Sequence, residues 1–404
     1  MPTNYASQYG RSLSQQYAYV LRFGALYARN QEGDYRWTSA HTVEVPSVHV
    51  TGRVDGSRNS FVERVQRHSN TWTPLTLRNH RMWNDFIHPR DIVETNEALS
   101  IQNITRVMNE EEKFPEKDKY LLSTIFADWM KLRVPMSDTL TAANILTYFD
   151  MMMEAMTERN VPLAGRIAYI TPPVNTLLKN ASAWARTQSI NGSTEMAVQR
   201  ALSYLDNVKV EEVPSDIMWS KFNFTVGAVK ANDAKKVQIF LVHPSAVITP
   251  ENYDFAQLDP PSAGSQGKYE YFEESFEDVF ILPGKEDGIE FLVADMSSAS
   301  ATFTTAAYTG DGAKVGDFNA TISAPAGANL LPGSRYFYKE QASTAPAALA
   351  YGENAANTSG WTEFDGKATT VLNATNGHKM TLLVCDANGR VYASGNATIT
   401  SKAS

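Results

Sequence analysis

Two stretches of alternating apolar and polar residues, separated by a long charged turn, constrain the fold of this chain more than any other feature. They are residues 42–50 and residues 72–78, and their period of two predicts β-strands. Together they predict a protruding β-hairpin. Two strands alone are marginal in water, and a hairpin this long cannot bury both of its faces within its own subunit. The sequence therefore predicts that the hairpin packs against a neighbouring molecule.

The turn between the two strands carries the candidate intersubunit contacts. These are Arg53, Asp55, Arg58, Glu63, Arg64 and Arg67. The arginines could grip phosphate, but the interleaved acidic residues are typical of a loop that makes salt bridges to another subunit. Arg78 and Arg81 stand at the base of the hairpin. We expect intersubunit pairing here, with nucleic-acid contact and plain solvation as the alternatives.

Length and charge limit the class of protein. The chain has 404 residues, enough for two to four folding units at roughly 100–200 residues per domain. Its formal net charge of −8 disfavours a dedicated nucleic-acid binder. Cys385 is the single cysteine, which excludes an intrachain disulfide framework. The N-terminus lacks a signal-peptide pattern, and no apolar run reaches the ~18 residues of a membrane span. We expect a chain made in a cytoplasm, with no membrane partner.

A change in composition near residue 300 predicts a second domain. Seven basic and seven acidic residues follow residue 300, so the whole net charge of −8 lies in residues 1–300. The join, residues 294–301, is rich in small residues that suit a linker. Short β-type runs follow, and Asn388-Gly389 between two of them predicts a type I′ hairpin, in which both central residues need φ > 0. We predict a small antiparallel β-sandwich over residues 299–404.

Residues 1–300 mix helix and strand, which predicts an α+β fold. Residues 1–40 are polar and predict an extended arm that becomes ordered on another surface. One helix is predicted over residues 114–133, and a second begins from an N-cap at Ser137 or Asp138. Further strands are predicted at residues 166–171, 208–213 and 237–243, and further helices at residues 173–184 and 194–205. A long strand over residues 268–282 has residues 288–293 as its predicted hairpin partner.

Side chains that could carry chemistry do not converge in the sequence. The seven histidines lack the spacing that places two metal ligands on one helical face. Strand alternation puts Glu273 and Glu277 on one face and Glu274 and Asp278 on the other, so these carboxylates diverge. We expect them, like the acidic run 110–112, to be solvated or to lie between subunits. No Walker loop or nucleophile elbow is present. We therefore predict no catalytic, cofactor-binding or metal-binding residue, no cofactor, and no enzymatic activity.

Several stretches of sequence resemble one protein family, and this resemblance is more specific than the predicted order of helices and strands. They include Val45-Pro-Ser-Val48, Gly52-Arg-Val-Asp55, Phe114-Pro-Glu-Lys-Asp118, Gly165-Arg-Ile-Ala-Tyr-Ile-Thr-Pro172, Val242-His-Pro-Ser-Ala-Val-Ile-Thr-Pro250 and Tyr271-Phe-Glu-Glu-Ser-Phe-Glu-Asp-Val279. With their order along residues 40–295, the chain resembles the major capsid protein of tailed bacteriophages, which has the HK-97 fold. The tail, through residues 336–339, 361–367 and 380–393, is similar to Ig-like domains appended to phage structural proteins.

The resemblance implies a division of the chain. It places the N-arm at residues 1–40, the E-loop at 41–85, the peripheral domain at 86–136 and 237–297, the axial domain at 137–236, and a surface-exposed Ig-like sandwich at 299–404. The helix at residues 114–133 is the implied spine of the peripheral domain.

The resemblance also implies partners and a location. We expect self-assembly into hexamers and pentamers of an icosahedral shell, with a separate scaffolding protein, a portal protein, and double-stranded DNA enclosed without sequence-specific binding. The location would be the virion capsid, assembled in the host bacterial cytoplasm. Two alternatives stay open: an encapsulin-like protein compartment, and a glycan-binding or enzymatic protein with an Ig-like accessory module.

Overall fold

The computed structural model describes residues 19–27, 35–39, 41–53, 68–94, 101–181, 204–323, 325 and 330–403. The chain forms two compact units. The first contains Met1–Ile125, Phe222–Lys230 and His243–Gly288, and the second contains Phe126–Lys221, Ala231–Val242 and Ile289–Ser404. The domain boundaries predicted from the sequence stay predictions. The α+β class is confirmed, since both helices and sheets build the part of the chain before residue 300.

The helices are short apart from two. In chain order they are α1 Gly24–Tyr27, α2 Pro89–Glu94, α3 Ile101–Val107, α4 Phe114–Trp129, α5 Ile145–Glu158 and α6 Pro172–Asn180. A π-helical segment, Met108–Lys113, joins α3 to α4 without a break. The predicted start of α4 at Phe114 is therefore an internal position of a longer helical run.

The strands before the tail number β1 to β16. They are β1 Arg36–Ser39, β2 Thr42–Val50, β3 His68–Thr76, β4 Asn79–Ile87, β5 Met136–Ser137, β6 Ile167–Ile170, β7 Tyr204–Leu205, β8 Val208–Glu212, β9 Phe222–Asn223, β10 Val229–Lys230, β11 Val237–Val242, β12 Val247–Ile248, β13 Glu251–Asp259, β14 Tyr269–Glu277, β15 Phe280–Ile281 and β16 Ile289–Val293.

The first unit is built on two three-stranded antiparallel sheets, with strand orders β1-β2-β3 and β13-β14-β4. The predicted hairpin is present as β2 and β3, paired from Thr42 with Thr76 to Val50 with His68. The predicted partner of the long strand β14 is wrong. Its partners are β13 and β4, because residues 289–293 are buried on both faces and lie inside the other unit's sheet, between β5 and β11.

The second unit contains a six-stranded sheet in the order β5-β16-β11-β6-β8-β7. On one face, Phe149 and Met152 of α5 and Val174 of α6 pack against Ala168 and Ile170 of β6. On the other face, a stack of aromatic rings links Trp129, Phe291, Phe240 and Tyr169. Both faces are therefore covered, which explains the nearly continuous apolar runs that made β11 predictable from the sequence.

Two predicted helix positions are corrected by the structure. Helix α5 begins at Ile145 and not after Ser137 or Asp138, because residues 136–137 pair with β16 as β5 and Asp138 accepts a hydrogen bond from the Tyr148 hydroxyl. Residues 204–205 of the predicted helix 194–205 form β7, which turns into β8 through Asp206 and Asn207, both with positive φ. The rest of that predicted helix lies outside the described residues.

The tail is a sandwich of two sheets. Its strands are β17 Ala299–Ser300, β18 Phe303–Ala307, β19 Asp317–Ile322, β20 Arg335–Gln341, β21 Thr362–Phe364, β22 Val371–Asn373, β23 Lys379–Cys385 and β24 Val391–Thr398. The sheet orders are β17-β24-β23-β20-β21 and β18-β19-β22. Phe318 and Leu372 of the smaller sheet share a core with Leu382 and Val384 of the larger one. The Ig-like assignment stays a prediction.

The hairpin at Asn388-Gly389 exists, but its predicted turn type is wrong. Only Gly389 has a positive φ, and its amide donates to the carbonyl of Asp386 across the turn. This is a type I turn followed by a left-handed glycine, the common three-residue alternative to type I′. Cys385 is buried in the tail core.

Candidate functional site: exposed surfaces of the first unit

The β2–β3 hairpin has a buried base and an exposed outer half. Val43 and Val45 at the base pack with Leu77 in a cluster that also contains Ile248 and Phe280. Further along β2, Val48 and Val50 are 64% and 73% exposed. The outer half therefore buries few of its apolar side chains within the described part of the subunit, as the sequence predicts for a hairpin that needs a neighbour.

The predicted intersubunit residues lie at the end of this hairpin. Arg53 is exposed just beyond β2, whereas Asp55, Arg58, Glu63, Arg64 and Arg67 lie outside the described residues. Their role as intersubunit contacts stays a prediction.

The two arginines at the base of the hairpin pair within the subunit. The Arg78 amide donates to Asp278 Oδ2 at 2.7 Å, and Arg81 Nε lies 2.6 Å from Glu116 Oε1. Tyr120 donates its hydroxyl to the other oxygen of Asp278 at 2.9 Å. These bonds fix the base of the hairpin on α4, so the hairpin leaves the unit in a defined direction.

One face of the β13-β14-β4 sheet is tied to the helical run by ion pairs. Lys113 pairs with Glu273, and Lys117 Nζ lies 2.6 Å from Glu277 Oε2. Burial raises the pKa of the Glu277 carboxyl, and Lys117 opposes that shift. The prediction that these glutamates are solvated or intersubunit is wrong, because lysines one helical turn apart on the same subunit neutralise them. The strand alternation that places both glutamates on one face is confirmed.

The opposite face of this sheet is exposed and mixes large apolar side chains with charged ones. Glu274 lies across from Met82, and Glu270 lies across from Phe86. Met82 and Phe86 of β4 are 64% and 61% exposed, and Phe272 of β14 lies directly across from Asn84 between them. Phe255 and Tyr253 of β13 extend the same face, their rings stacked 6.0 Å apart. Large exposed apolar side chains gathered on one sheet face, among polar ones, suit a site of protein association.

Strand β13 gives the sheet an open edge. Within the described residues it is hydrogen-bonded to a strand on one side only, and nearly all of its nine residues are exposed. It contains neither proline nor lysine, but Glu251, Asp254 and Asp259 place negative charge along it. Within the described residues its outer backbone groups pair with no strand, and a partner strand would have to match that charge.

A buried carboxylate of α4 binds the segment before the hairpin, which the Tyr27 hydroxyl also joins to α4 through the Lys117 carbonyl. Asp118 accepts hydrogen bonds from the Tyr19 hydroxyl at 2.5 Å, the Arg22 amide at 2.7 Å and the Phe23 amide at 3.3 Å. The two amides lie at the start of α1, where helix N–H groups lack intrahelical partners. Sequence reasoning missed this role, although the position of Asp118 on the apolar stripe of Leu122 and Ile125 was a readable signal.

The described residues give no sign of two other kinds of site. None of the helices described is long and apolar enough to cross a membrane. No group of three or more histidine, cysteine, aspartate or glutamate side chains within the described ranges is arranged to hold a metal ion.

Comparison with known proteins gives matches among solved structures. No family model matches the chain, and no curated protein matches it. A structure from Mycobacterium phage Che8 is 15% identical, with a TM-score of 0.49 over 70% of this chain and 93% of that one. The capsid structure of cyanophage P-SCSP1u is 12% identical, with a TM-score of 0.48 over 70% and 90% of the two chains. The head structure of Helicobacter pylori bacteriophage KHP40 is 13% identical, with a TM-score of 0.48 over 69% and 93%. Two of these three similar structures are thus described as a phage capsid and a phage head.

Proposed function

We propose that this chain is a major capsid protein of a tailed bacteriophage, which assembles with copies of itself into a closed shell around double-stranded DNA. The observation that carries the proposal is the exposure, within the described residues, of surfaces of the first unit that could contact other subunits. The outer half of the β2–β3 hairpin, the exposed side chains of Met82 and Phe86, and the edge of β13 all belong to regular secondary structure. Regular elements with exposed apolar faces are typical of subunits that complete their packing in an assembly.

The distribution of charge supports enclosure of DNA. The net charge of −8 lies entirely in residues 1–300, the part proposed to form the shell. A shell that bound phosphate tightly would oppose packaging and release of its cargo, whereas an acidic one repels it weakly. A scaffolding protein, a portal protein, the virion as final location and assembly in the host cytoplasm belong to the same proposal.

The proposal is tested by changing one exposed hairpin residue. We expect Val50→Asp to abolish closed shells and to leave capsomers or monomers, because a charge would be buried unpaired at a subunit interface. The matched control is Val315→Asp in the tail, where the side chain is 65% exposed, and it should assemble normally. Electron microscopy of the purified proteins reads out the result. Normal shells from the Val50→Asp variant, or neither capsomers nor shells from the unchanged protein, would contradict the proposal.

A further inference from the structure

The turn between β23 and β24 of the tail is inserted into the rest of the second unit. Arg390, at the end of this turn, is 4% exposed. Its Nη1 donates to Glu290 Oε2 of β16 at 2.7 Å and to the Val134 carbonyl at 3.1 Å. At the start of the turn, the fully buried Asp386 accepts from the Val134 amide at 3.1 Å. The turn therefore contacts both the central sheet and the chain just after α4.

Charges at this junction are paired in a continuous cluster. Glu290 is fully buried, and its second oxygen accepts from Arg159 Nη1 at 2.7 Å. Asp386 also accepts from the amides of Asn388 and Arg390, both at 2.9 Å. With its side-chain amide oriented to satisfy its neighbours, Asn388 accepts from Arg159 at 3.0 Å and from Arg133 at 3.2 Å. The ends of α4 and α5, one strand of the sheet and the tail turn thus share one buried polar network.

The two backbones also approach closely beside the network. Gly352 of the tail has φ +78°, and a β-carbon placed on it would lie 2.6 Å from the Pro135 carbonyl oxygen. Its amide donates to the Val391 carbonyl of β24. Val134 itself is buried among the tail's core residues, including Tyr351 and Tyr392. Separation of the tail would expose this apolar contact and leave Glu290 with one of its two arginines.

We propose that the tail sandwich stabilises the six-stranded sheet of the second unit and its helices α5 and α6, acting as a brace. Residues 386–390 are the plug, the segment by which the tail holds that sheet. A domain carried only as a tethered binding module needs no buried charge network with its host. Removing one partner of such a network leaves a buried charge uncompensated, which is strongly destabilising. This function of the tail is independent of whether the chain forms a capsid.

The brace is tested by cutting the connection while leaving the contacts intact. A protease site inserted between Ser297 and Ser298, where Ser297 is exposed, allows the full-length folded chain to be nicked. We expect the two fragments to migrate together in gel filtration at micromolar concentration, and the tail to unfold in the same calorimetric transition as the rest of the second unit. Separation of the fragments, or separate unfolding of the tail, would overturn the proposal.

A substitution then assigns the contact to the plug. Arg390→Leu in the nicked chain should weaken fragment association by at least about 100-fold, since a buried partner is lost. The matched control is Lys367→Leu, whose ion pair with Asp365 is exposed, and its effect should stay within about fivefold. Unchanged association of the Arg390→Leu fragments would also overturn the assignment. If that variant does not fold, association of the fragments of the nicked unchanged chain still tests the proposal. A tail joined only through its linker would separate after cleavage.

Discussion

Replacing Arg166 by alanine is expected to lower the free energy of unfolding of the second unit by about 3 kcal/mol or more. The guanidinium of Arg166 is buried beneath the end of α5, where the side chain is 1% exposed. It donates to the carbonyls of Pro162, Val161 and Met153 at 2.9, 2.7 and 3.2 Å. The alanine variant would leave these three carbonyl groups without their guanidinium donor and would open a cavity where the side chain lay.

The arginine is placed there by the electrostatics of a helix end. A helix C-terminus carries partial negative charge and unpaired carbonyl groups, and both favour a cation. Arg166 also donates to the Thr157 hydroxyl at 3.1 Å, so its planar group bonds to two sides of the last turn and the loop after it. Lysine could not reproduce this fork of donors. Burial lowers the pKa of Arg166, yet an arginine stays charged at neutral pH.

Calorimetry or chemical denaturation measures this effect. The matched control is Lys221→Ala, because Lys221 forms an exposed ion pair with Asp233 in the same unit and should contribute below about 1 kcal/mol. Equal losses for the two variants would contradict a structural role for the buried guanidinium.

The sequence predicts an element well when burial of that element leaves a clear pattern of apolar side chains. Strand β11 is buried on almost every residue and was predicted nearly to its ends. Strand β13, by contrast, is exposed along most of its length and reads as a polar loop. Its absence from the prediction is why β14 was given the wrong partner. An edge strand is held by backbone hydrogen bonds, which leave little trace in side-chain pattern.

The buried charges were missed for a related reason. Glu290 lies within the apolar run of β16, and Asp118 lies on the apolar stripe of α4. Their partners, Arg390 and the amide of Arg22, are 100 and 96 residues away in the chain. A charged residue inside an apolar pattern signals a buried partner. Only the fold reveals which partner it is.

The structure also corrects the predicted linker before the tail. Small residues at 294–301 predicted a linker to an add-on domain. In the structure Ala299 and Ser300 form β17, paired in parallel with β24, and Met296 donates its amide to Ser137. The small residues therefore allow close packing here and do not form a flexible linker. Composition alone does not distinguish these two roles.

Asp118 makes the attachment of residues 19–27 dependent on pH. Burial raises the pKa of its carboxyl from 3.8 to about 6, against the opposing effect of hydrogen bonds from Tyr19, Arg22 and Phe23. The titratable groups around it on the attached segment are Tyr19, Arg22 and Tyr27. When the segment leaves α4, water reaches the carboxyl, and its pKa returns towards the ordinary value.

The direction follows from linkage. The attached state has the higher pKa and so binds the proton more tightly than the released state. Protonation of Asp118 therefore stabilises the attached state. This stabilisation is complete below pH 3.8, the ordinary pKa, and is lost as the pH rises through about 6. From pH 5 to pH 7 the attachment equilibrium should weaken roughly tenfold. Acid therefore fastens the segment, and neutral pH loosens it.

Hydrogen exchange at the amides of residues 22–27 measures this equilibrium. After correction for the intrinsic pH dependence of exchange, protection in the unchanged chain should fall roughly tenfold between pH 5 and pH 7. Asp118→Asn, which keeps the shape but cannot ionise, should show the same protection at both values. Asp128→Asn on the same helix, whose carboxylate pairs with exposed Lys131, should retain the full pH dependence. If the Asp118→Asn chain keeps that dependence, another group governs the attachment; if protection rises with pH, the carboxyl is held in its charged form by the three donors.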